Sequence, residues 1–257
     1  MEITSTQNPR IKYIIKLRDD KKLRQRENLM LVEGWDEINL AILAGNVPTL
    51  VLHSPVFIKR QIDLVSIEQI TVTQAIFEKI SHRENPDGWL ALFPLPRTTL
   101  ADIDLSSDPL LIVAESIEKP GNLGAILRTA DAAGVDALLV CDPRVDIYNP
   151  NVVRASRGTL FTVPTIEISN ENALSALRKS NIKLVAATPH AKTEFTEQDL
   201  RGPLAIIVGT ENEGLTDFWL NEADIKVKIP MLGKVNSLNV SIAAALIVYE
   251  ARRQRNS

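Results

Sequence analysis

The stretch from Leu110 to Cys141, LLIVAESIEKPGNLGAILRTADAAGVDALLVC, decides the fold of this chain. Its two ends are uninterrupted apolar runs, 110–114 and 137–141, of the kind that form strands buried on both faces. Between them, residues 122–133 have a helical pattern with Asn122 as the expected N-cap and Gly134 as the stop. A strand, a crossover helix and a second strand predict a parallel sheet of the α/β class.

The same alternation continues toward the C-terminus. Further strands are predicted at 163–168, 182–187, 204–208 and 225–229, and further helices at 150–160, 171–180, 216–222 and about 237–253. The last helix is apolar nearly all round, so we expect it to be buried on more than one side. A smaller α/β unit precedes this region, and the polar stretch between them is the best linker. The expected organisation is a domain at 1–96, a linker at 97–109 and a second domain at 110–257.

Composition excludes several classes of protein. The chain has 257 residues, of which 45% are hydrophobic and 24% charged, so disordered and low-complexity classes are excluded. No apolar run reaches the roughly 18 residues of a membrane span, and the N-terminus lacks a signal-peptide pattern, so a cytoplasmic location is expected. One cysteine and three histidines predict neither a disulfide nor a metal site. A net charge of -3 argues against a bulk polyanion binder.

Charge is nevertheless uneven along the chain. The first thirty residues carry eight basic and four acidic side chains, and Lys12 and Lys16 lie one turn apart on a predicted amphipathic helix. From the residues alone, this segment is either a solvated helix face or a local nucleic-acid contact.

Familiar cofactor and catalytic motifs do not fit. The turn Gly209–Gly214 has the glycine spacing of a P-loop, but Leu215 stands where a phosphate-binding lysine is required. No strand leads into a Rossmann glycine motif, and there is no G-x-S-x-G. Cys141 and His190 are interpreted as structural residues. Nucleotide hydrolysis, nicotinamide chemistry and serine hydrolysis are therefore unsupported.

Three polar clusters remain, each at a strand end or a turn of the second half. They are Asn122–Arg128, the turn 209–214 with Glu211, and Ile229–Ser241. Each has an ordinary structural reading when taken alone, as a helix cap, an ion-pair partner or a turn residue. Together they place polar groups at the carboxyl ends of parallel strands, where open α/β sheets bind ligands.

The three clusters resemble, in order, the three motifs of the SpoU (TrmH-type) branch of the SPOUT RNA methyltransferases. The third matches closely, over Ile229-Pro-Met-x-Gly and Ser237-Leu-Asn-Val-Ser-x-Ala, and the likeness covers roughly residues 110–253. The first half is similar to that family's substrate-binding domain through Ser5-x-x-Asn-Pro9, Arg26 and Leu31-Val-Glu-Gly34. The resemblance implies a C-terminal, mostly parallel sheet with a deep trefoil knot, a ribosomal-protein-like α/β/α domain before it, and a homodimer that uses the last helix.

The activity implied by the resemblance is methyl transfer from S-adenosyl-L-methionine to a ribose 2′-hydroxyl of structured RNA. Large-subunit ribosomal RNA is the first expectation and transfer RNA the second; a noncatalytic RNA-binding protein on the same scaffold is the alternative. The implied catalytic residues are Arg128, Asn122, Glu211, Ser237 and Asn239. Because a guanidinium group stays protonated near neutral pH, Arg128 is either a transient general base in a desolvated site or a phosphate clamp.

The resemblance also implies two binding surfaces. Backbone and apolar groups for the cofactor map to Thr188, Gly209, Ile229, Met231 and Leu238. With this family in view, the basic N-terminus is interpreted as an RNA contact. The expected RNA-binding residues are Arg10, Lys12, Lys16, Lys22, Arg26, Arg154 and Arg157.

Overall fold

A computed structural model describes residues 2–64, 67–210 and 213–256. These residues form two compact units. The first holds everything described up to Arg97 together with Tyr148–Thr162, and the second holds Thr98–Ile147 with the described residues from Val163 onward. Segment 148–162, which falls in the expected second domain, thus packs within the first unit, where α-helix Pro150–Ser156 contacts strand Leu29–Glu33.

The regular elements alternate along the chain as the apolar pattern predicts. The strands are β1 (Glu2–Ile3), β2 (Leu29–Glu33), β3 (Leu50–His53), β4 (Gln69–Val72), β5 (Trp89–Pro94), β6 (Leu110–Glu115), β7 (Ala137–Cys141), β8 (Thr165–Ile168), β9 (Lys183–Ala187), β10 (Thr193–Glu194), β11 (Leu204–Val208) and β12 (Ile225–Lys228). The α-helices are α1 (Pro9–Asp19), α2 (Lys21–Glu27), α3 (Trp35–Leu43), α4 (Gln74–Ile80), α5 (Pro120–Ala132), α6 (Pro150–Ser156), α7 (Asn170–Lys179), α8 (Asp217–Glu222) and α9 (Val240–Arg255). None of the helices in the described ranges is long and apolar enough to cross a membrane.

The first unit is built on a mixed five-stranded sheet. Its strand order is β1-β4-β3-β5-β2, and β5 runs antiparallel to both of its neighbours. Helix α1 begins at Pro9, because the Asn8 side chain accepts from the Arg10 N–H and Pro9 occupies the first helical position. The helix buries Ile11, Ile14 and Leu17 against this sheet's core, which leaves its lysines in solvent.

The second unit is a parallel α/β domain, which confirms the fold class. Its seven-stranded sheet has the order β10-β12-β9-β11-β6-β7-β8, and every neighbouring pair is parallel. Every residue of β6, β7 and β11 is buried, as expected for strands covered on both faces. Helix α5 begins at Pro120, with Lys119 as its N-cap. Asn122 therefore lies in the first turn of this helix and is not its cap, contrary to the prediction.

The helix predicted at 150–160 is interrupted. Helix α6 ends at Ser156 because Arg157 and Gly158 both adopt left-handed backbone conformations, with φ of 53° and 86°. A short 3-10 turn, Thr159–Phe161, follows. A Cβ at position 158 would lie 3.0 Å from Cα of Glu37, so a glycine permits this close approach to α3.

The last helix starts later than predicted and is buried on one side. Its N-cap is Asn239, whose side chain accepts from the Ser241 N–H, so Ser237 lies outside the helix. The buried residues are Val240, Ala244, Ile247, Val248 and Ala251. On the opposite side, Ile242, Leu246 and Tyr249 are 51%, 41% and 53% exposed. The expectation of burial on more than one side is therefore wrong for a single copy of the chain.

The far end of α9 is fastened to the amino-terminal edge of the sheet. Arg255 donates to the carbonyl oxygens of Asp108 and Pro109 at 2.8 and 3.1 Å. Arg252 donates to the Ala133 carbonyl at the end of α5, and Gln254 accepts from the Leu200 N–H at 2.8 Å. These bonds fix α9 at both ends, with Asn239 capping the other.

Candidate active site

A cavity of about 770 Å³ opens at the carboxyl ends of β9, β11 and β12. Its walls are formed by residues 187–190, 208–210, 213–215, 227–233 and 235–238, together with Glu194, Leu220, Val240 and Ala243. This volume is within the range of small-molecule sites, roughly 300–1,000 Å³. The position at the carboxyl edge of a parallel sheet is where α/β proteins bind ligands.

The five residues expected to bind the cofactor all line this cavity. Thr188 follows β9, Gly209 follows β11, and the other three lie between β12 and α9. That last set is Ile229, Met231 and Leu238. The loops that follow β9, β11 and β12 are distant in sequence but line the same cavity.

Gly209 permits a tight turn on one wall of the cavity. A Cβ at this position would lie 2.2 Å from the carbonyl oxygen of Gly214, closer than atoms can approach. The Thr210 N–H donates to the same oxygen at 3.0 Å, and the Gly214 N–H donates back to the Thr210 carbonyl at 3.2 Å. Glu211, expected in the catalytic set, lies outside the described residues.

Asn239 and Asn122 are brought together across the second unit. Nδ2 of Asn239 donates to Oδ1 of Asn122 at 3.0 Å. Oδ1 of Asn239 accepts from the Ser241 N–H at 3.0 Å and from its hydroxyl at 2.6 Å. One side chain therefore caps α9 and connects that cap to the first turn of α5, which joins the first and third polar clusters.

Ser237 and Arg128 occupy more open positions. Ser237 is exposed and lines the cavity, two residues before Asn239. Arg128 is exposed on α5 and makes no hydrogen bond or ion pair with another residue of the described ranges. Positions six apart on a helix are separated by about 9 Å along its axis, so Arg128 is not brought to the Asn122 amide. Its guanidinium group is available to a ligand.

Cys141 and His190, both interpreted as structural, differ in environment. Cys141 is buried in β7, and burial raises the pKa of its thiol, which leaves it protonated and unreactive. His190 lies on the cavity wall, where its backbone N–H donates to the Thr188 hydroxyl at 3.4 Å. This location could not be predicted, because His190 follows β9 in a loop without a recognisable motif.

The expected RNA-binding residues all lie in the first unit and fall into two groups. In the first group, Arg10 pairs with Glu68 at 2.5 Å, Arg26 with Glu27 at 2.9 Å and Arg157 with Asp36 at 2.9 Å. The second group is exposed and has no ion-pair partner in the described part of the chain. It comprises Lys12, Lys16, Lys22 and Arg154.

Sequence reasoning missed Glu115, the last residue of β6. Its side chain is only 1% exposed and accepts hydrogen bonds from Thr216 and Asn170. The signal was a carboxylate ending an otherwise apolar strand, but its partners lie on distant segments that sequence spacing does not connect.

Comparison with known families assigns both units. Residues 109–249 match the SpoU rRNA Methylase family, and residues 8–91 match the MRM3-like substrate binding domain. The chain is similar to the 23S rRNA (uridine(2479)-2′-O)-methyltransferase of Streptomyces viridochromogenes, with 31% identity over 98% of this chain and 92% of that protein. It is also 28% identical to the Bacillus subtilis 23S rRNA (guanosine(2553)-2′-O)-methyltransferase RlmP, over 98% of this chain and 99% of that protein.

Solved structures agree with these matches. A crystal structure of an RNA 2′-O ribose methyltransferase superposes with a TM-score of 0.90 at 43% identity, covering 100% of both chains. The SpoU methyltransferase AviRb from Streptomyces viridochromogenes, in complex with AdoMet, gives a TM-score of 0.86 at 29% identity over 96% of this chain and 98% of that chain. The family match spans more than half of the 257 residues. The chain therefore belongs to the SpoU rRNA methylase family.

Proposed function

We propose that this protein transfers a methyl group from S-adenosylmethionine to a ribose 2′-hydroxyl of 23S-type large-subunit ribosomal RNA. The observation that carries the proposal is the cavity at the carboxyl edge of the parallel sheet, with the Asn122–Asn239 bond beside its Ser237 wall. The Streptomyces viridochromogenes and Bacillus subtilis relatives are both named as 23S rRNA 2′-O-methyltransferases.

The cavity fits the cofactor in size and in chemistry. Ile229, Met231 and Leu238 supply apolar walls, and the turn at Gly209 brings backbone groups close to the space they enclose. Such walls suit an adenine ring, which needs apolar contact and a few hydrogen bonds at its edge. When bound, S-adenosylmethionine supplies the electrophilic methyl group.

The task of the protein is to hold the ribose oxygen in line with that methyl group, at about 3.5 Å or less. We assign this to the cluster beside the cavity. The Asn122–Asn239 pair fixes the start of α9, and Ser237 offers a hydroxyl on the cavity wall. Backbone N–H groups at the start of a 16-residue helix favour an RNA phosphate there. Glu211 completes the proposed set.

Arg128 is the residue we assign to the reacting hydroxyl. It is exposed on α5, with no partner among the described residues to satisfy its charge. A guanidinium group binds a phosphate in a bidentate manner, and in a desolvated complex it can take part in removing the hydroxyl proton. Both roles place Arg128 against the RNA, and neither places it on the cofactor.

The first unit is the proposed RNA-binding part. Lys12 and Lys16 project from α1 one turn apart, and Lys22 follows on α2. The exposed and unpaired lysines can neutralise phosphates without first breaking an ion pair, whereas Arg10, Arg26 and Arg157 must exchange a carboxylate for a phosphate. We therefore expect Lys12, Lys16, Lys22 and Arg154 to contribute more to affinity.

We also propose that the active form is a homodimer through α9. Ile242, Leu246 and Tyr249 form an apolar face on one side of this helix, which is unusual for a surface that stays in water. A two-fold axis would place the same face of a second copy against it. The trefoil knot implied by the resemblance and a cytoplasmic location stay predictions.

The test is a methylation assay with defined RNA. Purified protein is incubated with ribosomal RNA or transfer RNA from cells that lack it, using S-adenosylmethionine with a tritiated methyl group. We expect tritium in large-subunit rRNA at one nucleotide whose 3′ phosphodiester resists alkali, because the 2′-oxygen is blocked. Label in transfer RNA alone, label on a base, or no label with any RNA would each overturn the proposal.

A further inference from the structure

Glu115 is a buried carboxylate at the carboxyl end of β6, and the activity described above gives it no role. It accepts three hydrogen bonds from two residues. The Thr216 N–H donates to Oε2 at 2.9 Å, the Thr216 hydroxyl donates to Oε1 at 2.7 Å, and Nδ2 of Asn170 donates to Oε1 at 3.2 Å. None of these donors carries a charge, so within the described part of the chain the burial of this carboxylate is offset by hydrogen bonds from neutral groups.

The arrangement requires an acceptor at both carboxylate oxygens. Asn170 cannot reverse its amide to become an acceptor toward Glu115, because its Oδ1 already accepts from Nε1 of Trp219 at 2.6 Å, and an indole nitrogen can only donate. The backbone N–H of Thr216 likewise can only donate. A glutamine of the same shape would set its own NH₂ group against one of these donors, whichever way it turned.

The residue held by Glu115, Thr216, directly follows one wall of the cavity in the chain. Thr216 is the N-cap of α8, and its hydroxyl bonds to Glu115 instead of capping that helix. Immediately before it lies the turn that begins at Gly209 and is closed by the two bonds between Thr210 and Gly214. Thr210, Gly214 and Leu215 line the cavity. Glu115 therefore fixes the downstream end of the segment that carries this wall.

We propose that Glu115 is a positioning residue for the cofactor wall. Through Thr216 it holds residues 213–215 in place on the cavity wall, and it contacts neither the cofactor nor the RNA. This inference rests on the proposed function in one respect, namely that the cavity binds S-adenosylmethionine.

The decisive variant is Glu115→Gln, compared with Asp224→Asn as a matched control. Asp224 is also a carboxylate of the second unit that accepts a backbone N–H, from Leu184 at 2.7 Å, and it pairs with Arg178. It lies immediately before β12 and beside the start of β9, at the opposite end of these two strands from the cavity, and it does not line the cavity. Both variants are expected to lower the unfolding temperature.

Calorimetric titration with S-adenosylmethionine separates positioning from general destabilisation. Loss of one buried hydrogen bond is expected to raise the dissociation constant about tenfold in Glu115→Gln, with no change in Asp224→Asn. Thr216→Val should also weaken binding of S-adenosylmethionine. The double variant should bind it no less tightly than whichever single variant binds less tightly, because both substitutions disrupt the same contact between Glu115 and Thr216. Equal losses in the two carboxylate variants, or additive losses in the double variant, would overturn the inference.

Hydrogen exchange tests the same idea without any ligand. In the free protein, Glu115→Gln should speed exchange of the Thr216 and Gly214 amides, while Asp224→Asn should leave them at the wild-type rate. Unchanged exchange in Glu115→Gln would refute the inference even if methylation were established. Failure of the wild-type protein to bind S-adenosylmethionine, with faster exchange in the variant, would instead refute the proposed function and limit Glu115 to holding the turn.

Discussion

Nδ2 of Asn239 donates to Oδ1 of Asn122 at 3.0 Å, so a hydrogen bond joins the cap of α9 to the first turn of α5. The same Asn239 side chain caps α9 through Ser241. Two variants separate these functions. Asn239→Ser keeps a good N-cap and loses the amide link, whereas Asn239→Ala loses both.

We expect Asn239→Ala to lose about 1 kcal/mol of unfolding free energy and Asn239→Ser to lose much less. Both should slow methyl transfer, because the link to Asn122 is absent in each. Denaturant unfolding and single-turnover transfer of a tritiated methyl group measure the two effects. Wild-type turnover in Asn239→Ser would remove the link from the site.

Arg128→Ala is expected to abolish transfer while leaving the fold and the cofactor site intact. Arg128 is exposed and does not line the cavity, so its loss should change neither the unfolding temperature nor the dissociation constant for S-adenosylmethionine. The transfer rate should fall at least about 100-fold, as for loss of a group that acts on the reacting proton or its phosphate. Arg128→Lys keeps the charge but loses the bidentate geometry, and lysine gives up a proton more readily than arginine. A loss as large as in Arg128→Ala would therefore favour the phosphate clamp over the base.

Gly209→Ala should close part of the cofactor cavity. The added Cβ would meet the Gly214 carbonyl at 2.2 Å, so the turn must open and the wall must move. We expect weaker binding of S-adenosylmethionine in calorimetry and a lower unfolding temperature. Gly121→Ala is the matched control for packing, since a Cβ there meets nothing within 4 Å. It should leave cofactor binding unchanged and should not lower the unfolding temperature, because alanine is the better helix former in α5.

Lys12→Ala and Lys16→Ala should weaken RNA binding without affecting cofactor affinity. Log affinity for RNA falls as log salt concentration rises. Each lysine is expected to neutralise about one phosphate, so each substitution should make this negative slope shallower by roughly 1. Lys59→Ala, an exposed lysine of the same unit outside the basic segment, serves as control. Filter binding of ribosomal RNA at several salt concentrations gives the slopes, and equal slopes in all three variants would contradict the assignment.

Leu246→Glu should convert the proposed dimer into a monomer. The substitution puts a charge in the middle of the apolar face of α9, where a second copy would have to bury it. Sedimentation velocity at fixed protein concentration reports the change. Leu43→Glu, at a residue 75% exposed on α3 in the other unit, should sediment like the wild type. A wild-type monomer would show that this face has another role.

The parallel sheet could be predicted from sequence because its central strands are short apolar runs between helical segments. Helix boundaries were less predictable. Helix α5 has no side-chain N-cap, so Asn122 looked like the cap although the helix begins at Pro120. In α6, the left-handed conformation of Arg157 breaks a pattern that reads as continuous helix, and only the close approach of Gly158 to Glu37 explains it.

The candidate site was predictable to the extent that its residues lie at strand ends. Parallel strands end at one edge, so Thr188, Gly209 and Met231 could be grouped without coordinates, and all three line the cavity. The bond between Asn122 and Asn239 spans 117 positions, and the bonds of Glu115 join three separate segments. Such contacts depend on tertiary packing, which sequence spacing does not encode.

Both ends of α9 are tied down, by the Asn239 cap at one end and by Arg252, Gln254 and Arg255 at the other. Because both ends are hydrogen-bonded, we expect α9 to keep its position along its axis when a ligand binds. Accommodation must fall on the loop between β12 and α9, where Leu232 is 98% exposed. We therefore expect the loop between β12 and α9 to control the entry and exit of small molecules, moving relative to a stationary α9.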